Sequence, residues 1–302
     1  VTLFSNKLFS EVGMLSSDAF EDYIIPLEHW IESGVSWLVD NFRPQFQAIK
    51  WPVEVTLNGI DSLLQMVPPI LFLLILGIIA WRTAGWKVAL FGILTLTLVG
   101  FLGLWEDTMT TLAMVICSVV FCVIVGIPLG IYASRSDRFE SLLRPVLDAM
   151  QTTPAFVYLV PVVMLFSIGT VAGVIATIIF AMPPIIRLTN LGIRQVQADV
   201  VEAANSFGAT KSQILWKVQF PLALPTIMAG LNQTMMLSLS MVVIAALIGA
   251  GGLGLPVFEG LNSLRVGLAG IGGLSIVLLA MVLDRITQSL GTSKHLERTE
   301  NS

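Results

Sequence analysis

The apolar residues of this chain are gathered into long runs, and those runs constrain its fold more than any other feature. They lie near 67–81, 86–105, 108–134, 146–169, 171–187, 222–249 and 264–283. A helix needs ~20 mainly apolar residues to cross the hydrocarbon core of a bilayer. The predicted fold class is therefore an all-α membrane protein with about seven transmembrane helices. The first run is short by that measure, and Pro183 and Pro184 interrupt the fifth. Composition agrees: 55% of the 302 residues are apolar, 12% are charged, and mean hydropathy is +0.86. A soluble domain carries about 25% charged residues.

Basic residues give the expected sidedness, since cytoplasmic loops collect Lys and Arg. Arg82 and Lys87 lie between the first two runs, and Arg135, Arg138 and Arg144 between the third and fourth. Arg187, Arg194, Lys211 and Lys217 follow the fifth, and Arg285, Lys294 and Arg298 follow the seventh. With seven spans all of these fall on one side. The other side receives Lys7, Arg43, Lys50 and Arg265 beside acidic Glu106, Asp107 and Glu259. The expected order is an acidic extracytoplasmic segment over 1–66, a membrane domain over 67–290 and a cytoplasmic tail over 291–302. Dropping the short first span would move the acidic segment to the cytoplasm.

In that segment Leu27, Ile31, Val35, Leu38 and Phe42 recur at helical spacing, with Trp30 and Trp37 nearby and Glu28, Glu32 and Asp40 on the polar side. This predicts an amphipathic helix that lies in a membrane interface or packs on the protein's own surface. Its acidity favours the outer side, away from anionic cytoplasmic lipid. A weaker amphipathic stretch runs through Val55, Ile60 and Leu64. No basic start followed by an apolar core and a small-residue cleavage site stands at the N-terminus, so targeting is expected from the spans.

Net charge of −4 argues against nucleic acid as a partner. Cys117 and Cys122 sit in one apolar run, about 140° apart on a helix, and read as buried thiols. His29 and His295 lie near opposite ends and form no familiar metal spacing with them.

The segment 195–221 carries the functional signal. Asp199 can cap a helix, with Glu202 as its reciprocal partner. Gly208 is a natural helix stop. Thr210 and Gln213 repeat the capping pattern, and Pro221 is expected to end the second helix. Small Ala203 and Ala204 offer a flat docking surface, with Val201, Phe207 and Ile214 able to fill a partner's pocket. An ordinary well-capped loop fits the same residues.

Glu202-Ala203-Ala204, Gly208 and Val218-x-Phe220-Pro221 resemble the EAA signature of ABC importer permeases, where Ile-x-Leu-Pro is the usual ending. The run from Leu143 to Pro161, with Gln151-Thr152-Thr153-Pro154, is similar to permeases of osmoregulated glycine betaine/proline betaine importers. So are Pro183-Pro184-Ile-Ile-Arg187 and Pro225-Thr-Ile-Met-Ala-Gly230-Leu-Asn232-Gln233-Thr234. The likeness runs from about residue 22 to 288. It implies a type I ABC importer permease fold, two copies of the chain, a cytoplasmic ABC ATPase dimer and a betaine-binding protein on the outer side. The coupling residues it implies are Glu202, Ala203, Ala204, Gly208, Val218 and Pro221. No cofactor is expected on this chain; ATP and Mg belong to the partner ATPase.

Gly249-Ala-Gly251-Gly-Leu-Gly254 satisfies a dinucleotide fingerprint literally but follows a span rather than a strand. A flexible turn at a span end is the better expectation. No P-loop pattern occurs. Thr152, Thr153, Asn232, Gln233 and Ser238, with Ser240, are polar residues in spans, suited to a substrate pathway or to interhelical hydrogen bonds. Asp148 is expected to pair with Arg144. Ala269 and Gly273 form a small-residue pair for close packing of the last span. An ABC permease for another small solute, or an ion-coupled secondary transporter, remains an alternative; the latter would need an acid or His within the spans.

Overall fold

The computed structural model describes residues 26–299, with side chains to 289. Its described residues are almost entirely helical. The acidic start over residues 1–25 and the end of the tail beyond 299 lie outside the described residues.

The first helix, α1 (Leu27–Met66), is kinked at Phe42, which has φ −117° and ψ 15°. Pro44 explains the kink, because its ring clashes with the carbonyl four residues back and it lacks an N–H. Residues up to Pro44 form one compact unit and Gln45 onward another. In the first unit Trp30, Ile31 and Trp37 are exposed. In the second, Val53 and Leu57 of α1 are buried and Val55 is exposed. The packed face of this stretch is therefore Val53, Leu57, Ile60 and Leu64; of the predicted residues, Ile60 and Leu64 pack against the core and Val55 does not. Gln65 Nε2 donates to the Glu106 carbonyl at 3.1 Å and fixes this stretch on the fourth helix.

Helices α2 (Pro69–Ala84) and α3 (Trp86–Phe101) form a hairpin about Gly85, which adopts φ +91°. Gly77 lets them approach: a Cβ there would lie 2.7 Å from Ile93 Cδ1. Three long helices make the core: α4 (Trp105–Arg135), α7 (Thr170–Arg194) and α10 (Phe220–Ile244). α7 lies between the other two. A Cβ on Gly126 of α4 would stand 2.4 Å from Ile185 Cγ2, and one on Gly130 2.6 Å from Thr189 Cβ. On the opposite side a Cβ on Gly230 of α10 would stand 3.0 Å from Leu188 Cβ. Such close backbones are how helices associate in lipid, where apolar burial gives little drive. Pro183 and Pro184 do not interrupt α7; both are buried between its neighbours, which hold the helix continuous.

The run 146–169 is not one straight span. It divides into α5 (Asp137–Thr152), a 3₁₀ turn at Ala155–Tyr158, and α6 (Leu159–Phe166), with a bend of 107°. Thr153 is extended, as a residue before proline prefers, and Pro154 ends the helix. Ser136 caps α5, accepting from Phe139 N. The final helix is α12 (Val266–Thr299), preceded by the short α11 (Gly254–Asn262). The expected packing pair on α12 is half right. Ala269 meets Gly260, but Gly273 has nothing near it, and Gly272 makes the second contact, against Val257.

By length and composition four helices can cross a membrane unbroken, and six spans result if each bent pair counts once; Trp86–Phe101 is a shorter apolar helix. The bent pairs are Leu27–Met66 with Pro69–Ala84, and Asp137–Thr152 with Ala155–Phe166.

The glycine-rich turn is not loose. Gly249 and Gly252 take positive φ, Ala250 and Leu253 are fully buried, and the Leu253 N–H donates to Thr111 Oγ1 at 2.8 Å. A Cβ on Gly252 would collide with that Thr111 oxygen at 2.5 Å. The turn is a packed seat on α4.

Candidate functional site

Arg194 closes α7 and begins the candidate site. It pairs with Asp137 at 2.8 Å and Glu140 at 3.0 Å, and donates to Asn190 Oδ1 and the Ala133 carbonyl, both at 2.9 Å. One guanidinium thus ties the ends of α4 and α7 to the start of α5, using the planar fork that suits Arg to such junctions. Arg144 pairs with Glu140 at 3.2 Å, and Arg187 with Asp148. The expected Asp148–Arg144 pair is therefore not formed, since the cross-helix partner Arg187 takes Asp148. All of these residues except Asp137 border a cavity of about 560 Å³ between α5 and α7.

Four residues later comes α8 (Ala198–Ser206), which carries Glu202, Ala203 and Ala204. Glu202 and Ala203 are exposed and Ala204 is half-buried. Its N-cap is Gln197, without a side-chain bond, so Asp199 stands in the first turn instead of capping. The carboxylate there still favours the positive end of the helix dipole. The other end has a full Schellman cap. Gly208, at φ +78°, donates to the Asn205 carbonyl at 2.9 Å, and Ala209 N donates to the Ala204 carbonyl at 3.1 Å.

The next helix, α9 (Lys211–Ile214), starts with the predicted capping box. Thr210 Oγ1 accepts from Gln213 N at 3.3 Å, and Gln213 Oε1 accepts from Thr210 N at 2.8 Å. Pro221 does not end this helix. A π-turn over Leu215–Gln219, containing Val218, leads into α10, and Pro221 sits in the first turn of α10. Proline is tolerated in the first turn of a helix because it removes an N–H that has no partner within that helix. From Lys211 to Ile248 the chain is one candidate span of 38 residues. The Arg135 guanidinium donates to the Lys211 carbonyl at 3.3 Å, joining its start to α4. Phe207 is 93% exposed, whereas Ile214 is buried within the chain and cannot fill a partner's pocket.

The polar span residues do not share one surface. Thr152 and Gln233 are exposed; Thr153 is half-buried and donates to the Ala149 carbonyl at 2.8 Å. Asn232 donates to Asp284 of α12 at 3.2 Å. Ser238 is fully buried in the helix packing, and its hydroxyl has no partner among the described residues. Asp284, an acid one residue beyond the expected end of the last span, was not anticipated as the partner of Asn232. Arg194 was missed as a junction. The spacing Gly126-x-x-x-Gly130 was a legible packing signal on α4.

Residues 126–293 match the family described as "Binding-protein-dependent transport system inner membrane component". The chain belongs to that family. This permease is 53% identical to the glycine betaine/proline betaine transport system permease protein ProW of Escherichia coli (strain K12) over 274 residues, 91% of this chain and 77% of that one. It is 46% identical to the glycine betaine transport system permease protein OpuAB of Bacillus subtilis (strain 168) over 270 residues, 89% and 96% of the two chains. Among solved structures, the inward-facing MetNI methionine ABC transporter shares the fold with TM-score 0.55 at 23% identity, covering 61% of this chain and 92% of that one. The permease is the multi-pass inner-membrane subunit of an ABC importer.

Proposed function

We propose that this permease imports quaternary-ammonium osmoprotectants such as glycine betaine and proline betaine. It acts as a homodimer with two cytoplasmic ATPases and a betaine-binding protein outside. ATP and Mg are held by the ATPases, and this chain does no chemistry of its own. The basic loops lie in the cytoplasm with the C-terminal tail, and the acidic N-terminal segment lies outside. Substrate class is supported by the glycine betaine transport systems to which the two relatives belong, and sidedness by the distribution of Lys and Arg.

The observation that carries the coupling reading is the continuity of Lys211–Ile248. Glu202, Ala203, Ala204 and Gly208 present a rigid, capped turn to the ATPase. Val218 and Pro221 lie where that turn joins the span. When the ATPases close on ATP, α8 and α9 move with them, and the rod carries the motion to the pathway, with Thr152, Thr153, Asn232, Gln233 and Ser238 as candidate pathway residues. The Arg194 junction makes α4 and α5 follow. Only a conformational equilibrium is shifted here, and the ATPase supplies the differential binding that shifts it.

The test is reconstitution of permease, ATPase and binding protein in proteoliposomes with labelled betaine, choline and proline. ATP-dependent betaine uptake by a complex with two permeases and two ATPases is expected. Uptake without ATP, or a complex holding a second, different permease, would refute the proposal.

A further inference from the structure

We propose that the Thr234 hydroxyl is a latch between α10 and α7. It is open in the conformation described here and closes on the Phe180 carbonyl when the two helices shift in transport. This rests on the coupling reading above, in which α10 moves.

The first observation is a buried donor without an acceptor. Thr234 and Ser238 of α10 and Thr189 of α7 are fully buried, and none of their hydroxyls has a partner among the described residues. Every other buried Ser or Thr hydroxyl among the described residues donates to the carbonyl four residues back. Thr234 thus forgoes the Gly230 carbonyl, the acceptor its own helix offers. A buried polar group without a partner destabilises the conformation that holds it.

The second observation is an acceptor without its donor. Pro184 stands inside α7 and has no N–H, so the Phe180 carbonyl lacks its helical partner. Packing brings the two groups to the same level. A Cβ on Gly230 would lie 3.3 Å from the Pro184 carbonyl oxygen, and one on Gly173 2.9 Å from Ala245 Cβ. The two helices are therefore antiparallel along this seam. Thr234 follows Gly230 by four residues and Phe180 precedes Pro184 by four, so each shares the face of its neighbour. One turn along from the Gly230–Pro184 contact, Thr234 stands across from Phe180.

The seam also permits the shift. Gly192, Gly230 and Gly173 put a glycine on one side of each close contact between α7 and α10. A small turn of α10 then drives no pair of branched side chains past each other. Closing the latch pairs both orphaned groups at once, which favours the shifted conformation over this one.

The test uses the whole complex of permease, ATPase and binding protein. It compares melting of the resting complex with melting of the complex held closed by vanadate on its ATPases, beside ATP-driven betaine import. Thr234→Val keeps the branched shape and removes the hydroxyl. The resting complex should melt no lower than wild type, and up to about 2–4 °C higher. The vanadate-held complex should melt lower, and import should fall roughly two- to tenfold. Thr234→Ser keeps the hydroxyl and should import within about twofold of wild type. Equal lowering of both melting temperatures by Thr234→Val would show the hydroxyl paired in both conformations, as through a buried water, and would overturn the latch. Unchanged melting in both, or equal loss of import in the Val and Ser variants, would overturn it too. A wild-type complex that hydrolyses ATP yet imports no betaine would instead overturn the reading on which the latch rests.

Discussion

Replacement of Gly208 tests the coupling turn most directly. Its φ of +78° is the left-handed region, and a Cβ built there meets nothing within 4 Å. The cost of a side chain is therefore conformational, with no steric clash to confuse it. For an ordinary L-residue that cost is ~1–2 kcal/mol, and a β-branched residue, restricted further at χ1, lies at the upper end or beyond. Asn visits this region more readily and should cost least. Loss of the turn also releases two cap hydrogen bonds, from Gly208 N and Ala209 N. A shift of one or two kcal/mol changes the population of the ordered turn by about 5- to 30-fold. The expected series for uptake and for binding-protein-stimulated ATP hydrolysis is Gly, then Asn, Ala and Val. Membrane insertion should be unchanged, because it depends on apolar length. The measurements are uptake, stimulated hydrolysis and ATPase copurification on the same four proteins. Wild-type values for Gly208→Val in all three would show that the turn is not the coupling element.

Three further expectations follow from the packing and the ion pairs. Gly126→Val drives a methyl group into Ile185, where a Cβ alone would already lie 2.4 Å from Cγ2; it should lower the melting temperature of the purified permease by overpacking worth ~1–3 kcal/mol. Gly273→Ala, with nothing within 4 Å, is the neutral control, and equal melting of the two would contradict the α4–α7 contact. Arg194→Met removes two ion pairs and two hydrogen bonds from a side chain 33% exposed, so the loss should be modest, ~1–2 kcal/mol, and should shrink as salt rises toward ~1 M; a loss independent of salt would assign it to packing instead. In a background lacking Cys117 and Cys122, an impermeant maleimide added to sealed cells should label a cysteine at Ser33 and miss one at Ser212; the reverse pattern would invert the proposed topology.

Helical character and membrane residence were legible because both depend on one-dimensional pattern. Apolar runs and missing charge survive any detail of packing. The Thr210–Gln213 capping box and the Gly208 stop were legible for the same reason, since each is a local bond between residues three or four apart. What failed was non-local. Asp148 had an attractive partner at i−4 in Arg144, but Arg187 from another helix took it. Pro183 and Pro184 looked like breaks, yet α4 and α10 enclose them. Pro154 did break its helix, because the residue before a proline prefers extended backbone and Thr153 adopts it. Ser238 and Gln233 stand five residues apart on one helix and have opposite fates, buried and exposed. A list of polar residues in a span says nothing about which face each occupies until the neighbours are known.

Pro221 shows how such a misreading changes the mechanism. A helix that ended there would leave the coupling turn joined to the membrane by a flexible link, and a push from an ATPase would dissipate in it. The chain instead widens into a π-turn at Leu215–Gln219 and continues. The Phe220 N–H still bonds to the Leu215 carbonyl, so the register is shifted without being lost. The wider turn joins α9 to α10 with the helix unbroken. On the proposed coupling reading, motion delivered at Ala203 and Gly208 would reach Asn232 and Gln233 as rotation of a stiff element, and would pull on α12 through the Asn232–Asp284 hydrogen bond.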